Sequence, residues 1–311
     1  MTNGCFDLQK LADGVWAAIG RPDGTAYSNA AILDLGDRSI VVDTFMMPPP
    51  AKLLAQAAEE LTGRPADLVL LTHFHQDHWG GASEFPHALY ASSPNARETM
   101  LEDFDEYREW QDDPSDLIGG VETAKAQLQE ELPQAEREAV EMRLRRNELI
   151  LDQLPELQFR EPEITIESGL TLHGSKRTAL VHVVEHAHTN SDLFIELPDD
   201  DIVICGDLGF FATQPFMWYA DPEGWIDWLD EMERSPHQTF VPGHGPVGGK
   251  KDLALMREYI ATLTRMLREA KADGQTVDEA VKLRLPDPFF AWQAVEQGRL
   301  ETNVRGLFER I

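Results

Sequence analysis

The chain has 311 residues, of which 42% are apolar, so it can bury a substantial core as one large α/β domain or two smaller ones. Its formal charge is -28, from 55 acidic and 27 basic residues, which disfavours polyanionic partners such as DNA and RNA. No segment approaches the roughly 20 apolar residues that cross a bilayer, and residues 1–11 lack a signal-peptide pattern. We therefore expect a cytoplasmic protein without a nucleic-acid or membrane partner, although a protein already trimmed of a leader would look the same.

The first third of the chain predicts short strands, then a helix and a further strand. The strands are divided by Asp/Gly turns and lie at residues 15–19, 30–35 and 39–42. Three prolines precede a predicted helix at 51–61, which ends at Gly63. A buried strand at 68–71 follows, so this part predicts a β-helix-β unit.

Four potential metal ligands follow that strand within six residues: His73, His75, Asp77 and His78. Crowding imidazoles and carboxylates costs free energy unless a positive ion organises them. Neutral imidazole and carboxylate suit zinc, and also iron, manganese or nickel. The segment therefore predicts a metal site at the carboxyl end of a strand, where ligand sites of α/β sheets commonly lie.

An acidic helical segment is predicted at residues 94–162. Residues 92–163 hold 20 acidic and 8 basic side chains, with apolar residues at mostly helical spacing. The segment is read as an insertion that is either a lid over the site or an element of self-association, which would make the protein a homo-oligomer. A solvated helical hairpin without a role in the chemistry is the alternative.

After residue 163 the strand pattern returns, and the chain ends in helices. The predicted strands lie at residues 164–166, 170–172, 179–184, 193–197 and 202–205. Residues 251–311 read as a helical extension, with a capping box between Thr276 and Glu279. Cys205, within a predicted strand, reads as a small core residue.

Three later residues that can bind metal also follow predicted strands. His188 follows the strand at 179–184, Asp207 follows the strand at 202–205 through Gly206, and His244 lies between two glycines. Because all of them lie in strand-end loops, we expect them to meet the first cluster at one edge of the fold.

Together these motifs resemble the metallo-β-lactamase superfamily. The resemblance rests on Thr72-His73-x-His75-x-Asp77-His78-x-Gly80-Gly81, His188-Thr189, Gly206-Asp207 and Gly243-His244-Gly245. It implies an α/β fold, an αββα four-layer sandwich, in a single domain over 1–311 that includes the 94–162 insertion and the 251–311 extension. It also implies a dinuclear metal site at the edge between two sheets.

The resemblance assigns each ligand position. One metal would be held by His73, His75 and His188, and the other by Asp77, His78 and His244. Asp207 would bridge the two ions. Asp43 resembles a supporting position, although a turn residue at a strand end would look the same. Ala187 stands where a glycine commonly precedes the third histidine, and His186 is either near the site or at the surface or core.

The implied function is hydrolysis by two Zn²⁺ ions, with iron or manganese also possible. A metal-bridging hydroxide would open an ester, lactone, thioester or amide bond of a small molecule, and Asp77 would orient it and pass a proton to the leaving group. Imidazole at His75 favours zinc. The alternatives are an iron-dependent oxidoreductase or sulfur dioxygenase, and a non-catalytic metal-binding protein.

The sequence says less about the substrate. Aromatic residues cluster after Asp207; some of them belong to the core, and those that line the cleft would give it an apolar wall. They are Phe210, Phe211, Phe216, Trp218, Tyr219, Trp225 and Trp228. No basic residue near Asp207 stands out as a partner for a substrate carboxylate, since Lys250 and Lys251 read as solvated.

Overall fold

The computed structural model describes residues 4–21, 25–132, 134–292 and 298–311. In these ranges the strands form two sheets. The seven-stranded sheet follows chain order: β1 (Phe6–Ala12), β2 (Val15–Gly20), β3 (Ala30–Asp34), β4 (Ser39–Val42), β5 (Leu68–Leu70), β6 (Leu89–Ser92) and β7 (Ile164–Thr165). The five-stranded sheet has the order 12-11-10-9-8 and contains β8 (Gly169–His173), β9 (Thr178–Val184), β10 (Asp192–Leu197), β11 (Ile202–Phe210) and β12 (Thr239–His244).

The helices lie between and after these strands. They are α1 (Pro48–Thr62), α2 (Gln76–Trp79), α3 (Pro94–Asp112), α4 (Ser115–Gln127), α5 (Gln134–Gln153), α6 (Pro222–Arg234), α7 (Lys250–Ala272), α8 (Val277–Ala280) and α9 (Arg299–Phe308). None of the helices within the described ranges combines the length and apolar character that a bilayer span requires.

Side chains of the first sheet alternate between two cores. Ala17 and Leu33 belong to the core between the sheets, together with Ile195 of β10. Ile32 points the other way and shares a second core with Leu54 of α1. This alternation follows from the two-residue repeat of a strand, and it buries both faces of the sheet.

The outer face of the second sheet is covered by α6 and α7. Phe194 of β10 points away from the other sheet and contacts Trp228 of α6, with ring centroids 5.5 Å apart. Leu263 of α7 belongs to the same core. The order of layers is helix, sheet, sheet, helix, so the αββα sandwich expected from the sequence is confirmed.

The carboxyl ends of the central strands meet at one edge of the sandwich. β4, β5, β6 and β7 are parallel to one another, as are β11 and β12. Two backbone hydrogen bonds join the sheets here: Leu193 N–H donates to the Thr72 carbonyl at 2.7 Å, and Asn29 N–H donates to the Gly243 carbonyl at 2.7 Å. The loops after these strands are therefore held close together.

Several boundaries differ from the sequence-based expectation. The strands β1 and β6 were not predicted. Helix α1 begins at Pro48, because proline is tolerated in the first helical turn, where N–H groups have no partner within the helix. The capping box is confirmed: the Glu279 carboxylate accepts from Thr276 N–H at 2.8 Å.

β11 is longer than expected because it contains a bulge. Gly206 has φ +53°, a left-handed conformation, and the register with β12 shifts on either side of it. A Cβ atom at Gly206 would lie 2.8 Å from the Thr72 side chain. The strand continues past this residue to Phe210, so Asp207 lies within a strand and not in a loop.

We predict that Gly206→Ala lowers the free energy of unfolding more than Gly63→Ala does. Both residues have positive φ, +53° and +74°, but a Cβ at Gly63 meets no atom within 4 Å. The left-handed backbone alone costs alanine about 1–2 kcal/mol, and crowding against Thr72 adds to that cost only at Gly206. Urea unfolding of both variants, with chelator present, measures the difference. Equal losses would show that the contact with Thr72 is relieved without cost.

Candidate metal centre

The first group of candidate ligands consists of three imidazoles and one carboxylate. His73 and His75 follow β5, His188 lies in the loop between β9 and β10, and Asp207 lies on β11. His75 Nδ1 lies 2.9 Å from His73 Nε2 and 3.0 Å from His188 Nε2. The three nitrogens therefore converge on one point.

The second group contains Asp77, His78 and His244. Asp77 and His78 belong to the short helix α2, and His244 is the last residue of β12. His244 Nε2 lies 3.2 Å from Asp77 Oδ2, and His78 Nε2 lies 3.7 Å from the same oxygen. These atoms form a second point of convergence.

Asp207 faces both groups with different oxygens. Its Oδ2 lies 3.6 Å from His73 Nε2 and 3.2 Å from His188 Nε2. Its Oδ1 lies 3.1 Å from His78 Nε2 and 3.4 Å from His244 Nε2. The structure thus brings together all seven residues singled out as ligands in the sequence, with Asp207 between the two sets.

The burial of these groups favours positive ions among them. Burial lowers the pKa of His73 well below its usual range, and the neighbouring His78 adds to this, so its imidazole is neutral. Burial also lowers the pKa of His244, but Asp207 outweighs it and raises that pKa to about 9. The carboxylates therefore attract positive charge into the site, which bound cations would supply.

The positions of the ligand atoms also suit binding of cations better than hydrogen bonding among the ligands themselves. His78 Nε2 and Asp207 Oδ1 lie 3.1 Å apart, yet both are buried and neither is in hydrogen-bond geometry. An unsatisfied buried polar atom costs about 1–3 kcal/mol. Neutral imidazoles and carboxylates are donors that zinc accepts, so this cluster could hold metal ions.

Asp43 links the two ligand groups, because it contacts His78 directly and His73 through Thr72. Its Oδ2 lies 2.8 Å from His78 Nδ1, and its carboxylate accepts from the Thr72 N–H at 2.8 Å and hydroxyl at 2.9 Å. The Thr72 hydroxyl in turn lies 2.9 Å from His73 Nδ1. Asp43 has φ +61°, a strained conformation, and is buried. These contacts favour the supporting position expected from the sequence over that of a strand-end turn residue alone.

Gly243 allows the last histidine to approach the centre. A Cβ at this position would lie 1.9 Å from Asp207 Oδ1, so no larger residue fits. Asn29 holds the same loop with its side-chain amide, which donates to the carbonyls of Pro242 and Gly245, each at 2.8 Å. The glycine and these bonds together fix His244 beside Asp207.

His186 lies away from the centre. It is exposed and has φ +59°, and it faces a different depression of the surface from the one over the ligands. Cys205 is a buried core residue, as expected, and burial raises the pKa of its thiol.

A cleft of about 340 Å³ opens over the ligands. Its walls come from the ligand loops, from α9, and from α3, α4 and α5, which lie in the predicted 94–162 insertion and are called the inserted helices below. The lining residues are Tyr27, Met46, His75, Gln76, Asp77, Tyr107, Trp110, Leu117, Arg146, Asn147, Ile150, Asp207, Phe210, Phe216, His244 and Arg299.

The cleft shows which of the aromatic residues line it, and it corrects the expectation about basic residues. Of the aromatic residues after Asp207, Phe210 and Phe216 line the cleft, whereas Trp225 and Trp228 are buried in the core. Sequence reasoning also missed the basic residues Arg146 and Arg299, because neither is near a ligand in the chain. The sequence predicted only that both arginines lie in helical segments.

The inserted helices reach the ligand loop through apolar and polar contacts. Trp79 packs edge-on against Phe104 of α3, with ring centroids 4.8 Å apart. The Tyr107 hydroxyl donates to the side-chain carbonyl of Gln76, one residue before Asp77. Ile150 of α5 packs with Met46 and Met47 at the rim of the cleft.

Comparison with known proteins places this centre in a family. Residues 23–244 match the sequence profile of the metallo-beta-lactamase superfamily. The chain belongs to the metallo-beta-lactamase superfamily, whose members are generally hydrolases that bind metal ions. The match ends at His244, so it includes all seven candidate ligands and excludes α7, α8 and α9.

Solved structures show the same fold at low identity. A metallo-beta-lactamase from Pontibacter korlensis aligns with TM-score 0.56 and 16% identity, covering 82% of this chain and 99% of that one. The metallo-beta-lactamase FIM-1 from Pseudomonas aeruginosa, in its mono-zinc form, aligns with TM-score 0.57 and 15% identity, covering 82% and 95%.

One similar protein is named as a sulfatase and not as a lactamase. A linear primary-alkylsulfatase from a Pseudomonas species is 24% identical over 272 residues, which are 79% of this chain and 48% of the relative. The chain thus spans about half the length of this relative.

We predict that Asp43→Asn weakens zinc binding about 10–100-fold, because the single amide oxygen of Asn cannot accept both from the Thr72 N–H on one side and from His78 and the Thr72 hydroxyl on the other. Asn tolerates positive φ as Asp does, so backbone strain is unchanged. Asp67→Asn is the control, since Asp67 accepts from Ser39 N–H and contacts no ligand. Competition with a chromogenic chelator measures the affinities. Equal affinity in the two variants would remove the supporting role of Asp43.

Proposed function

We propose that the protein is a metal-dependent hydrolase that opens an ester, lactone, thioester or amide bond of a small molecule. One observation carries the proposal: the two oxygens of Asp207 face two separate ligand groups, at 3.1–3.6 Å. A carboxylate in this position suits the bridge of a dinuclear site. Membership of a superfamily of hydrolases and a cleft of small-molecule size support the same reaction class.

In this proposal each group holds one ion. His73, His75 and His188 would hold the first ion, Asp77, His78 and His244 would hold the second, and Asp207 would contribute to both. When bound, the two ions would lower the pKa of a shared water towards neutrality and polarise the bond under attack. The imidazole-rich donor set favours zinc, and it also accepts iron or manganese.

Asp77 is the proposed proton-transfer group. Its side chain is 25% exposed and lines the cleft, whereas that of Asp207 is only 3% exposed. Burial raises the pKa of Asp77, but His78 and His244 outweigh it and hold the pKa well below its usual range. Asp77 is therefore ionised at neutral pH. It can hold a proton from the nucleophile at a carboxylate oxygen and deliver it to the leaving group.

A second candidate is hydrolysis of a sulfate ester. It is favoured by the similarity to the linear primary-alkylsulfatase and by two arginines that line the cleft. The reaction needs the same metal centre and differs in the atom attacked, sulfur or carbon. Hydrolysis of an alkyl sulfate, measured as released sulfate, separates the two candidates.

Metal content is the first test. We predict two zinc ions per chain by elemental analysis of protein purified without added metal or chelator. Hydrolysis should be lost after chelation and return when zinc is added, because the ions would activate the attacking water. Iron as the main metal would contradict the zinc hydrolase and favour an iron-dependent oxidoreductase or sulfur dioxygenase.

We predict that Asp77→Asn lowers kcat for 4-nitrophenyl hexanoate by about 100-fold or more, because the amide cannot accept the proton of the attacking water. At least the zinc of the first group should remain bound in elemental analysis. Asp13→Asn is the matched control, since the Asp13 side chain is 91% exposed and lies in a turn outside the cleft. Full turnover in Asp77→Asn would remove the assigned role.

A further inference from the structure

Arg299 is held in the cleft by an aromatic ring and by the docking of its helix. Its guanidinium lies 4.6 Å from the centroid of the Phe216 ring, and that ring lies 5.2 Å from the ring of His75. Four residues later, buried Asn303 accepts from Met217 N–H and donates to the Pro215 carbonyl, both at 2.8 Å. The helix is thus fixed to the segment that carries Phe216, and this fixes Arg299 near the candidate ligands.

Arg146 brings a second positive charge to the same cleft from α5. Both guanidinium groups line it, and they repel each other electrostatically. The carboxylates of Asp77 and Asp207 attract Arg299. Bound cations would neutralise those carboxylates, so the loaded cleft would have a net positive charge on a chain of net charge -28. A negatively charged ligand would balance this local charge.

Part of the remaining wall of the cleft is apolar. Trp110, Leu117 and Ile150, all from the inserted helices, line it together with Phe216. Ile150 and Leu117 pack with Met46 and Met47 in a small hydrophobic cluster at the rim. This surface can bury an alkyl or aryl group of a ligand.

We propose that Arg299 and Arg146 bind the anionic group of an amphiphilic substrate, a carboxylate or a sulfate, whose apolar part contacts Trp110, Leu117 and Ile150. The inference rests on the proposed hydrolase function and names its substrate class. Both arginines and the apolar wall lie outside the segments that supply the ligands. Arg299 also lies beyond the residues that match the family profile. The selectivity is therefore a property of this chain's insertion and C-terminal helices.

The test compares binding of three ligands of equal chain length to the zinc-loaded protein. Octyl sulfate, octanoate and 1-octanol are titrated calorimetrically into the unaltered protein, Arg299→Met, Arg299→Lys and Arg146→Met. Arg284→Met is the matched control, because the Arg284 guanidinium also stacks on a phenylalanine, Phe290, at 3.9 Å, but does not line the cleft.

We expect Arg299→Met to weaken binding of the anionic ligands about 10–100-fold, as for the loss of a charged hydrogen bond. Arg299→Lys should restore part of the affinity for the anionic ligands, and Arg146→Met should weaken anion binding by a smaller factor than Arg299→Met does. Octanol binding should change less than threefold in every variant. The anion that binds more tightly identifies the headgroup, sulfate or carboxylate. Equal anion binding in Arg299→Met, Arg146→Met and Arg284→Met would overturn the inference, as would equal affinity for octanol and the anions in the unaltered protein.

Turnover separates this inference from the hydrolase function. The substrates are 4-nitrophenyl hexanoate, which is neutral, and mono-4-nitrophenyl adipate, which carries a carboxylate on the same acyl length. We expect Arg299→Met to lower kcat/KM about 10–100-fold for the adipate and less than threefold for the hexanoate. An equal loss for both esters would contradict selective anion binding. If the zinc-loaded protein bound the anions but hydrolysed neither ester nor octyl sulfate, the proposed function would fail and the anion site would stand.

Discussion

The arrangement of the centre depends on one buried carboxylate. Asp207 is 3% exposed and lies within 3.6 Å of an imidazole nitrogen on each of four histidines. Desolvation of so many polar groups opposes folding unless ions offset it. The bulge at Gly206 places this residue in the strand, and Gly243 leaves room for its carboxylate. The remaining candidate ligands lie at the same edge, after β5 and β9 and at the end of β12.

Two parts of the molecule contribute different kinds of residue to the site. The sheets and their strand-end loops hold all the candidate ligands, within the residues that the family profile covers. The inserted helices supply Trp110, Leu117 and Ile150 to the cleft's apolar wall, and the inserted helices and α9 supply its two arginines. Chemistry that depends on the ions therefore belongs to the shared scaffold. Substrate choice depends on segments that a relative with the same fold need not have.

Periodicity in the sequence predicted most of the sheet, and its failures have local causes. The strand β1 was missed because its residues Phe6–Ala12 mix charged and apolar side chains at an edge of the sheet, with little burial on either face. β11 was predicted too short because Gly206 reads as a strand end, whereas it forms a bulge within the strand. In α1, prolines that read as a preceding loop form the first helical turn.

The sequence by itself predicted the candidate ligands and the fold class, because the candidate ligands occur in short motifs after apolar strands. Local spacing is enough to recognise such motifs. The tertiary structure decided which oxygen of Asp207 faces which histidine, and it placed Asp43 behind His78. It also brought Arg146 and Arg299 into the cleft. These contacts join distant parts of the chain, and they arise from the packing of helices on sheets, which residue spacing does not encode.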